Sequence, residues 1–353
     1  MKMIIGFRNF FMNTIEQIFS QKTVTYYFDA SFDHLEQLLP AANVVMLTDK
    51  NIFGLHEEKF SGYRVIQIAA GEQNKNQTTV DQVIDELIKL EADKSTMLIG
   101  VGGGVVTDIT GYVAAIYMRG IKFGLVPTSI LAMVDAAIGG KNGIDVGVYK
   151  NMVGTIRQPD FIFYDYSFLQ TLPVKEWING FAEIIKHACI KDALLFSMLE
   201  QYTLHELQTD STLIAKLIEK NVAIKNDIVT KDEFEKGDRK LLNFGHTIGH
   251  AIENMHQLPH GHAVSIGMVA ACTLSEQITG LHFEDGKRII RLLAKYHLPV
   301  IIETDHEKIF EVLKMDKKRA NGAVNFILLE KIGHAIIKPI PLATLHQHLK
   351  EIL

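Results

Sequence analysis

Five histidines lie within seventeen residues of this sequence: His246, His250, His256, His260 and His262. His246 and His250 are four positions apart, so their side chains share one face if the segment is helical. Neutral imidazole is a common ligand of zinc-like metal ions. Because the chain contains 15 histidines, one pair at this spacing carries little weight by itself. The segment therefore predicts a metal site only if other parts of the chain supply further ligands.

A candidate for a further ligand is Glu183, which lies three positions before Lys186 in an otherwise apolar segment. A buried carboxylate is costly unless it is paired or bound to a metal ion. Glu183 therefore either forms a simple ion pair with Lys186, or completes a Glu/His/His site with His246 and one of His260 and His262. Three protein ligands leave a position for substrate, which is the arrangement of catalytic zinc sites.

Glycines form a second group of interest. Residues 100–104 contain four glycines between a buried strand and a helix, where free N–H groups and the helix dipole favour an anion such as a pyrophosphate. The spacing differs from the standard G-x-G-x-x-G fingerprint, so a tight strand-to-helix turn remains the alternative. Gly245 and Gly249, beside the histidine pair, leave room for a ligand or another backbone, at a cost of about 1 kcal/mol each in helix propensity.

Charged residues occur where the predicted strands and loops meet. Asp49 and Glu72 follow strands, the position from which an α/β fold presents side chains to a ribose. Arg119, Lys141 and Lys150 lie near glycines or loop starts rather than along a polar helix face. Each is individually typical of a surface charge, but together they suit a pocket for an anion.

The elements that would position these residues alternate between strand and helix in the first half of the chain. We predict strands at residues 24–28, 43–48, 63–68, 96–101, 122–126 and 161–164, and helices at 78–90 and 105–117. This alternation indicates a parallel sheet with crossover helices. From residue 176 to about 295 the pattern is helical, and the last sixty residues are mostly helical with a strand at 324–329. We predict an α/β fold with a Rossmann-like parallel-sheet domain over residues 1–174, followed by a mainly α-helical domain over 175–353.

Composition limits the class of protein. The 353 residues are 47% hydrophobic and 22% charged, as in ordinary globular enzymes. The net charge of −5 provides no basic field for nucleic acid, and no apolar run is long enough to span a membrane. The two cysteines argue against a disulfide scaffold and fit the cytoplasm. Residues 1–19 are expected to begin a helix or strand rather than to form a signal peptide.

An ordered series of motifs resembles the 3-dehydroquinate synthase family of sugar-phosphate cyclases. The matching motifs extend from Asp49 to Gly333 and include Gly71-Glu72, Arg119-Gly120, Pro127-Thr128, Gly139-Gly140-Lys141, Lys150-Asn151, Ala182-Glu183, Asn243-Phe244-Gly245-His246, His260-Gly261 and Asp316-Lys317. The resemblance implies an NAD-binding domain, a helical metal-binding domain and a homodimer.

The resemblance also implies roles for individual residues. The metal ligands, for Zn²⁺ or Co²⁺, fall on Glu183, His246 and His260. The NAD contacts fall on Asp49, Gly71, Glu72, Lys75, Gly103, Gly104, Val105, Val106, Thr107, Asp108, Thr128, Ser129, Lys141, Lys150, Phe168, Thr171 and Leu172. The catalytic and substrate-binding residues fall on Arg119, Asp135, Lys141, Asn151, Lys186, Lys225, Arg239, Asn243, His250 and Lys317.

The sequence departs from the family pattern in the loop after Asp135. Ala136 stands where serine is usual, Asn142 where threonine is usual, Asp145 where asparagine is usual and Tyr149 where glycine is usual. His262 stands two residues after the expected ligand His260, where the family usually has an acidic residue. The four departures in the loop bear on the NAD contacts and on the hinge of the loop.

The implied activity converts 3-deoxy-D-arabino-heptulosonate 7-phosphate (DAHP) into 3-dehydroquinate and phosphate. It proceeds by transient oxidation by NAD, β-elimination, reduction and an internal aldol closure. Sibling sugar-phosphate cyclases and metal-dependent polyol dehydrogenases are the alternative enzymes. A non-catalytic NAD- or metal-binding regulator, or a structural metal site, would be a different class of protein.

Overall fold

The computed structural model describes residues 13–39, 41–147, 149–317 and 322–352. Its strands are β1 Asn13–Ile18, β2 Thr23–Phe28, β3 Val44–Asp49, β4 Arg64–Ile68, β5 Met97–Gly102, β6 Lys122–Pro127, β7 Lys141–Val146, β8 Tyr149–Ile156, β9 Phe161–Phe163, β10 Ala323–Lys331 and β11 His334–Pro341. The first twelve residues of the predicted N-terminal element lie outside the described residues. Residues 13–18 begin the sheet as a strand.

Seven strands form one sheet in the order β1-β2-β9-β6-β5-β3-β4. Only β1 pairs antiparallel, with β2, and the other neighbours are parallel. The central strands β3, β5 and β6 are buried almost throughout, as expected for parallel strands covered on both faces. All six strands predicted from the apolar runs before residue 165 are confirmed within one or two residues, and so is the parallel sheet.

A hairpin of β7 and β8 stands apart from this sheet and was not predicted. The strands pair antiparallel, from Lys141 opposite Ile156 to Val146 opposite Tyr149. Most β8 side chains are exposed on both faces, so the segment lacks the alternating pattern that marks a half-buried strand. The hairpin carries Lys141, Lys150 and Asn151, three of the candidate site residues.

The helices are α1 Leu35–Leu38, α2 Lys50–Leu55, α3 Gln77–Lys89, α4 Gly104–Ile116, α5 Val174–Lys191, α6 Ala193–Gln201, α7 Leu204–Thr209, α8 Ser211–Lys231, α9 His246–His256, α10 His260–Ile278, α11 Phe283–Lys295, α12 His306–Lys317 and α13 Leu342–Ile352. The predicted helices at 78–90 and 105–117 correspond to α3 and α4. The helical pattern predicted after residue 176 corresponds to α5–α11.

The C-terminal part differs from the prediction in one element. The strand expected at 324–329 is β10, but it pairs with a second strand, β11, in an antiparallel hairpin. The sequence of β11 contains Pro339 and Pro341, and proline inside an apolar run argues against a strand. The end of the chain is therefore a hairpin between two helices rather than mostly helical.

Close packing of α5, α9 and α10 depends on glycine. A Cβ on Gly267 of α10 would lie 1.9 Å from the carbonyl oxygen of Gly245, and one on Gly261 would lie 2.0 Å from the carbonyl oxygen of Asn179 in α5. Gly245 itself has a φ of 79°, a conformation that favours glycine. The room that was expected beside the histidine pair is thus filled by the backbone of a neighbouring helix.

Every strand of the seven-stranded sheet lies before residue 164, and α5 begins at Val174 after Pro173. Proline suits the start of a helix because its φ is already helical and its missing N–H would have no helical partner. The overall class is therefore α/β, as predicted. The division into two domains, 1–174 and 175–353, stays a prediction.

Candidate active site

Three helices bring the expected metal ligands together. Glu183 lies in the middle of α5, while His246 and His260 are the first residues of α9 and α10. The close approach at Gly245, Gly261 and Gly267 therefore determines how near the three side chains come. Sequence spacing predicted a shared face only for His246 and His250, whereas the third ligand depends on packing between helices.

The ligand atoms point at one another. Glu183 Oε1 lies 3.6 Å from His246 Nε2 and 3.3 Å from His260 Nε2, and the three atoms fit within a 4.8 Å span. Glu183 Oε1 is fully buried and makes no hydrogen bond of good geometry. Its other oxygen, Oε2, accepts a hydrogen bond from Lys186 Nζ. A buried carboxylate oxygen left without a partner is costly, so these residues fit a metal ion.

The remaining ring nitrogens are held by neighbours. His246 Nδ1 lies 3.1 Å from the carbonyl oxygen of Phe244, and His260 Nδ1 lies 3.4 Å from Glu253 Oε2. Both acceptors favour a proton on Nδ1, which leaves Nε2 free to bind a metal. Metal-binding histidines usually donate their second N–H in this way. Both proposed features of the Glu183 segment, the Lys186 ion pair and the Glu/His/His cluster, are thus present together.

The pKa values of the two histidines in the cluster are shifted in opposite directions. Burial would raise the pKa of Glu183, but Lys186 and the histidines hold it well below its usual value. Burial, assisted by Lys186, lowers the pKa of His246. Burial also disfavours the charged form of His260, yet Glu183 and Glu253 outweigh it and raise the pKa of His260 to about 9. A metal ion at this site would therefore displace a proton from His260.

The other histidines of the segment have different surroundings. His250 is exposed one helical turn from His246, with ring centroids 5.2 Å apart. His256 contacts Thr304 Oγ1 at 3.0 Å, as an ordinary polar residue would. His262 is half-buried in α10, and among the described residues it belongs to none of the clusters that could hold a metal ion. Of the two alternatives, the structure brings His260 to Glu183.

A buried ion-pair network adjoins the metal ligands. Lys225 Nζ of α8 donates to the Asp135 carboxylate at 2.5 Å and to the Asp135 carbonyl oxygen at 2.6 Å. His187, which sequence reasoning missed, is fully buried with Nε2 3.9 Å from Asp135 Oδ1. Burial raises the pKa of Asp135, but Lys225 outweighs it and holds that pKa below its usual range. Asp135 follows β6, so this network links the sheet to the helices.

A second cluster surrounds Glu235, which sequence reasoning also missed. Its carboxylate forms an ion pair with Lys141 of the hairpin and accepts a hydrogen bond from Asn243 Nδ2 at 3.0 Å. Arg239 is buried nearby, where its guanidinium donates to the carbonyl oxygens of Gly139, at 2.8 Å, and of Glu233. Lys141, Asn243 and Arg239 therefore converge around a carboxylate of the chain itself, and their expected roles in binding substrate stay a prediction.

The glycine turn between β5 and α4 has an open helix start. Gly103 is the N-cap of α4, and no side chain caps this end within the described part of the chain. A Cβ on Gly103 would meet only Ser129 Oγ, at 3.5 Å, and Thr128 N binds the Gly102 carbonyl oxygen at 3.0 Å. The strands β3, β4, β5 and β6 all end at this edge, where α/β sheets bind ligands. The turn therefore fits a pyrophosphate.

Charged candidates from several loops meet beside this turn. Lys75 Nζ lies 2.5 Å from Asp108 Oδ2 and 2.6 Å from Asn151 Oδ1. Lys150 Nζ lies 2.5 Å from Glu253 Oε1 and 3.8 Å from Glu72 Oε1. Glu253 is thus shared by Lys150 and His260, and it is the third residue that sequence reasoning missed. Its spacing of three from His250 on one helix was a usable signal.

Other candidates have structural contacts of their own. Asp49 caps α2 by accepting from the N–H groups of Asn51 and Ile52. The Phe168 ring is buried and packs edge-on against His56, with centroids 4.7 Å apart. Thr171 Oγ1 contacts His56 Nε2 at 2.7 Å.

The rest of the expected NAD contacts, Gly71, Gly104, Val105, Val106, Thr107 and Leu172, lie in the loop after β4, in the first turn of α4 and in the segment before α5. Arg119 is exposed with a φ of 64° and contacts none of the other candidates among the described interactions. Lys317 ends α12, but its side chain lies outside the described residues.

Two of the sequence departures have clear contacts. Asn142 is buried and donates to the carbonyl oxygens of Gly140 and Arg157, at 2.7 and 3.0 Å, across the base of the hairpin. Asp145 accepts from the N–H of Asn151 at 2.7 Å, and its own N–H donates to the Lys75 carbonyl oxygen at 2.8 Å. Asn142 therefore closes the base of the hairpin, and Asp145 joins the hairpin to the Lys75 loop.

Comparisons with known proteins identify the family of the chain. The 3-dehydroquinate synthase N-terminal model matches residues 65–179, and the C-terminal model matches residues 180–319. The 3-dehydroquinate synthase of Campylobacter concisus is 40% identical over 316 residues, covering 87% of this chain and 90% of the relative.

Solved structures share the fold. 2-Deoxy-scyllo-inosose synthase, in a complex with carbaglucose-6-phosphate, NAD⁺ and Co²⁺, has a TM-score of 0.85 at 24% identity, covering 96% of this chain and all of the other. 2-epi-5-epi-Valiolone synthase from Streptomyces hygroscopicus subsp. jinggangensis, with NAD⁺ and Zn²⁺ bound, has a TM-score of 0.83 at 27% identity, covering 89% and 92%. Because the two family models and the Campylobacter relative match most of its length, this chain belongs to the 3-dehydroquinate synthase family.

Proposed function

We propose that the chain is an NAD- and metal-dependent carbon–oxygen lyase that converts DAHP into 3-dehydroquinate and phosphate. The observation that carries this proposal is the convergence of Glu183 Oε1, His246 Nε2 and His260 Nε2 near the buried cations Lys186 and Lys225. An open ligand set next to cations suits a substrate that carries hydroxyls, a carboxylate and a phosphate. The sequence identity with a 3-dehydroquinate synthase over most of the chain supports the same activity.

Both cofactors have candidate residues in the chain. Glu183, His246 and His260 would hold Zn²⁺ or Co²⁺, and the turn at Gly103, with Lys75, Asp108 and the other expected contacts, would hold NAD. The bound metal would lower the pKa of a substrate hydroxyl, while NAD would accept a hydride and return it. The related valiolone synthase binds NAD⁺ and Zn²⁺ together in its solved structure, which supports this pairing.

The cations would position the substrate anions. Lys141, Asn243 and Arg239 lie around Glu235 at the base of the hairpin, so this cluster would bind the phosphate. Asn151 lies toward the tip of the hairpin, where its Oδ1 accepts from Lys75 Nζ at 2.6 Å. Lys225, fixed by Asp135, would bind the carboxylate. Held cations stabilise developing negative charge without reorganisation, which is the largest electrostatic contribution in many enzymes.

A proton must move from the hydroxyl that is oxidised. His250 lies one turn from His246 and is exposed, so it would accept this proton and release it to solvent. Lys186 keeps the second oxygen of Glu183 occupied, which leaves Oε1 as the ligand atom. The leaving phosphate would itself act as the base in the elimination, so no pair of catalytic carboxylates is required.

The surroundings of the enzyme follow from the same proposal. The chain would act on a small-molecule substrate in the cytoplasm, without nucleic acid or membrane partners, and as a homodimer of subunits with domains 1–174 and 175–353. Its two cysteines are free and buried, and no described helix meets the length and apolarity needed to cross a membrane. The edge strand β1 exposes Ile15 and Ile18, which supports association with a second copy.

The proposal is tested by phosphate release from DAHP with catalytic NAD, before and after chelation and readdition of Zn²⁺ or Co²⁺. Metal-dependent release is expected. NADH formation from a polyol without phosphate release would instead assign the chain to the dehydrogenases, and release only from other sugar phosphates would assign it to a sibling cyclase. Unfolding of the metal-free protein would indicate a structural metal.

A further inference from the structure

Glu253 is a buried carboxylate that has no assigned role in the proposed reaction. It lies on α9, and only 4% of the residue is exposed. Burying a carboxylate without partners costs several kcal/mol, so such a residue requires compensating contacts. Its two oxygens have different partners on two sides of the site.

One oxygen faces a metal ligand. Glu253 Oε2 lies 3.4 Å from His260 Nδ1, and the opposite nitrogen of that ring, Nε2, lies 3.3 Å from Glu183 Oε1. His260 is the first residue of α10, so no preceding turn of that helix supports its ring. A carboxylate at Nδ1 sets both the tautomer and the ring plane.

The other oxygen faces the hairpin. Glu253 Oε1 accepts from Lys150 Nζ at 2.5 Å, and Lys150 also lies 3.8 Å from Glu72. Lys150 belongs to β8, far from α9 in the sequence. Because Lys150 is the only described cation in contact with Glu253 other than His260, it fixes the direction in which the carboxylate points.

We propose that Glu253 is a positioning residue that orients His260 for metal binding, and that Lys150 acts on the metal site through Glu253. The inference rests on the proposed function, in which His260 binds the metal ion. The contact also connects the hairpin that carries Lys141, Lys150 and Asn151 to a metal ligand. The metal site is thereby completed by both halves of the chain.

The test measures Zn²⁺ affinity of the purified full chain by competition with a chromogenic chelator, without NAD or substrate. E253Q keeps the size of the side chain but removes its charge, and we expect its Zn²⁺ affinity to fall about 10- to 100-fold. K150M should lower the affinity by a smaller factor. In the double variant K150M/E253Q, the Lys150 change should have no further effect, because coupled residues are non-additive.

A matched control is E233Q. It removes the same charge, but the Glu233 carboxylate is held by the N–H of Ser20 and by Gln158, so the Zn²⁺ affinity should be unchanged. The absorption spectrum of bound Co²⁺ adds a second readout, since a tilted His260 ring changes the ligand field. We expect an altered Co²⁺ spectrum for E253Q and the wild-type spectrum for E233Q.

The outcomes separate the two proposals. If the wild-type chain binds no Zn²⁺, the proposed function itself fails. If the wild-type chain binds Zn²⁺ and E253Q matches it in affinity and Co²⁺ spectrum, only the role of Glu253 is overturned. Additive effects of K150M and E253Q would overturn the claim that Lys150 acts through Glu253. A variant that only loses stability in the metal-free state, with normal affinity and spectrum, would make Glu253 a purely structural residue.

Discussion

Replacing Gly267 by alanine tests whether the distance between α9 and α10 determines the metal site. The new Cβ would lie 1.9 Å from the Gly245 carbonyl oxygen, about 1.4 Å closer than an ordinary carbon–oxygen contact of about 3.3 Å. Gly245 directly precedes His246, so relieving the clash must move that ligand relative to His260. Metal sites tolerate distance errors of only about 0.2 Å, and we therefore expect Zn²⁺ affinity to fall at least about tenfold.

Stability should also fall, because the new Cβ meets backbone atoms rather than a flexible side chain. Overpacking costs about 1–3 kcal/mol and occasionally more, while alanine in place of glycine returns about 1 kcal/mol of helix propensity. We therefore expect a net loss of about 2 kcal/mol or more, and the Zn²⁺ affinity is measured on G267A protein whose circular dichroism spectrum shows that it is folded. Chelator competition measures the affinity, and the urea midpoint measures stability.

The matched control is G54A in α2, where a new Cβ meets nothing within 4 Å. It should gain up to about 1 kcal/mol and bind Zn²⁺ like the wild type. A G267A protein with wild-type Zn²⁺ affinity would refute the idea that glycine contacts set the ligand distances.

Two further predictions concern the cation clusters. E235Q removes the carboxylate that faces Lys141 and Asn243, so it should bind inorganic phosphate several-fold more tightly in calorimetry, and weaker binding would contradict a phosphate role for this cluster. K225M leaves Asp135 without its main partner. Breaking a buried ion pair costs about 3–5 kcal/mol. Because a quarter of the Asp135 side chain is exposed, we expect the free energy of unfolding in urea to fall by about 3 kcal/mol. An unchanged urea midpoint would show that solvent replaces the pair.

Sequence patterns predicted the elements whose burial leaves a periodic signal. The apolar runs of β3, β5 and β6 and the helical pattern of α3 fall within one or two residues of the prediction. Strands β1 and β8 are exposed along most of their length, so no hydrophobic pattern marks them. Strand β11 was not predicted because it contains two prolines, which argue against a strand.

The site was predictable to the extent that motifs define it. Glu183, His246 and His260 were identified from residue type and motif, and the structure brings their ligand atoms together. Glu235 lies in a loop with a φ of 57°, where no spacing rule applies, and its contact with Lys141 spans almost a hundred residues. Such partners depend on tertiary packing rather than on local sequence.

The same limit applies to side chains with two possible roles. Arg239 was expected to bind substrate, yet its guanidinium also donates to backbone carbonyls of Gly139 and Glu233. A motif shows that an arginine stands at a position, whereas the number of donors left for a ligand depends on the backbone around it. The structure therefore adds the constraint that Arg239 supports the loops that carry Gly139 and Glu233.

The most direct test of the central claim is the ratio of phosphate released to NAD supplied, measured with DAHP in excess, bound Zn²⁺ and NAD below the enzyme concentration. We expect many phosphates per NAD, no accumulated NADH, and loss of phosphate release after chelation with the fold retained. One phosphate or fewer per NAD, with NADH accumulating, would contradict a cycle in which the chain returns the hydride to its substrate.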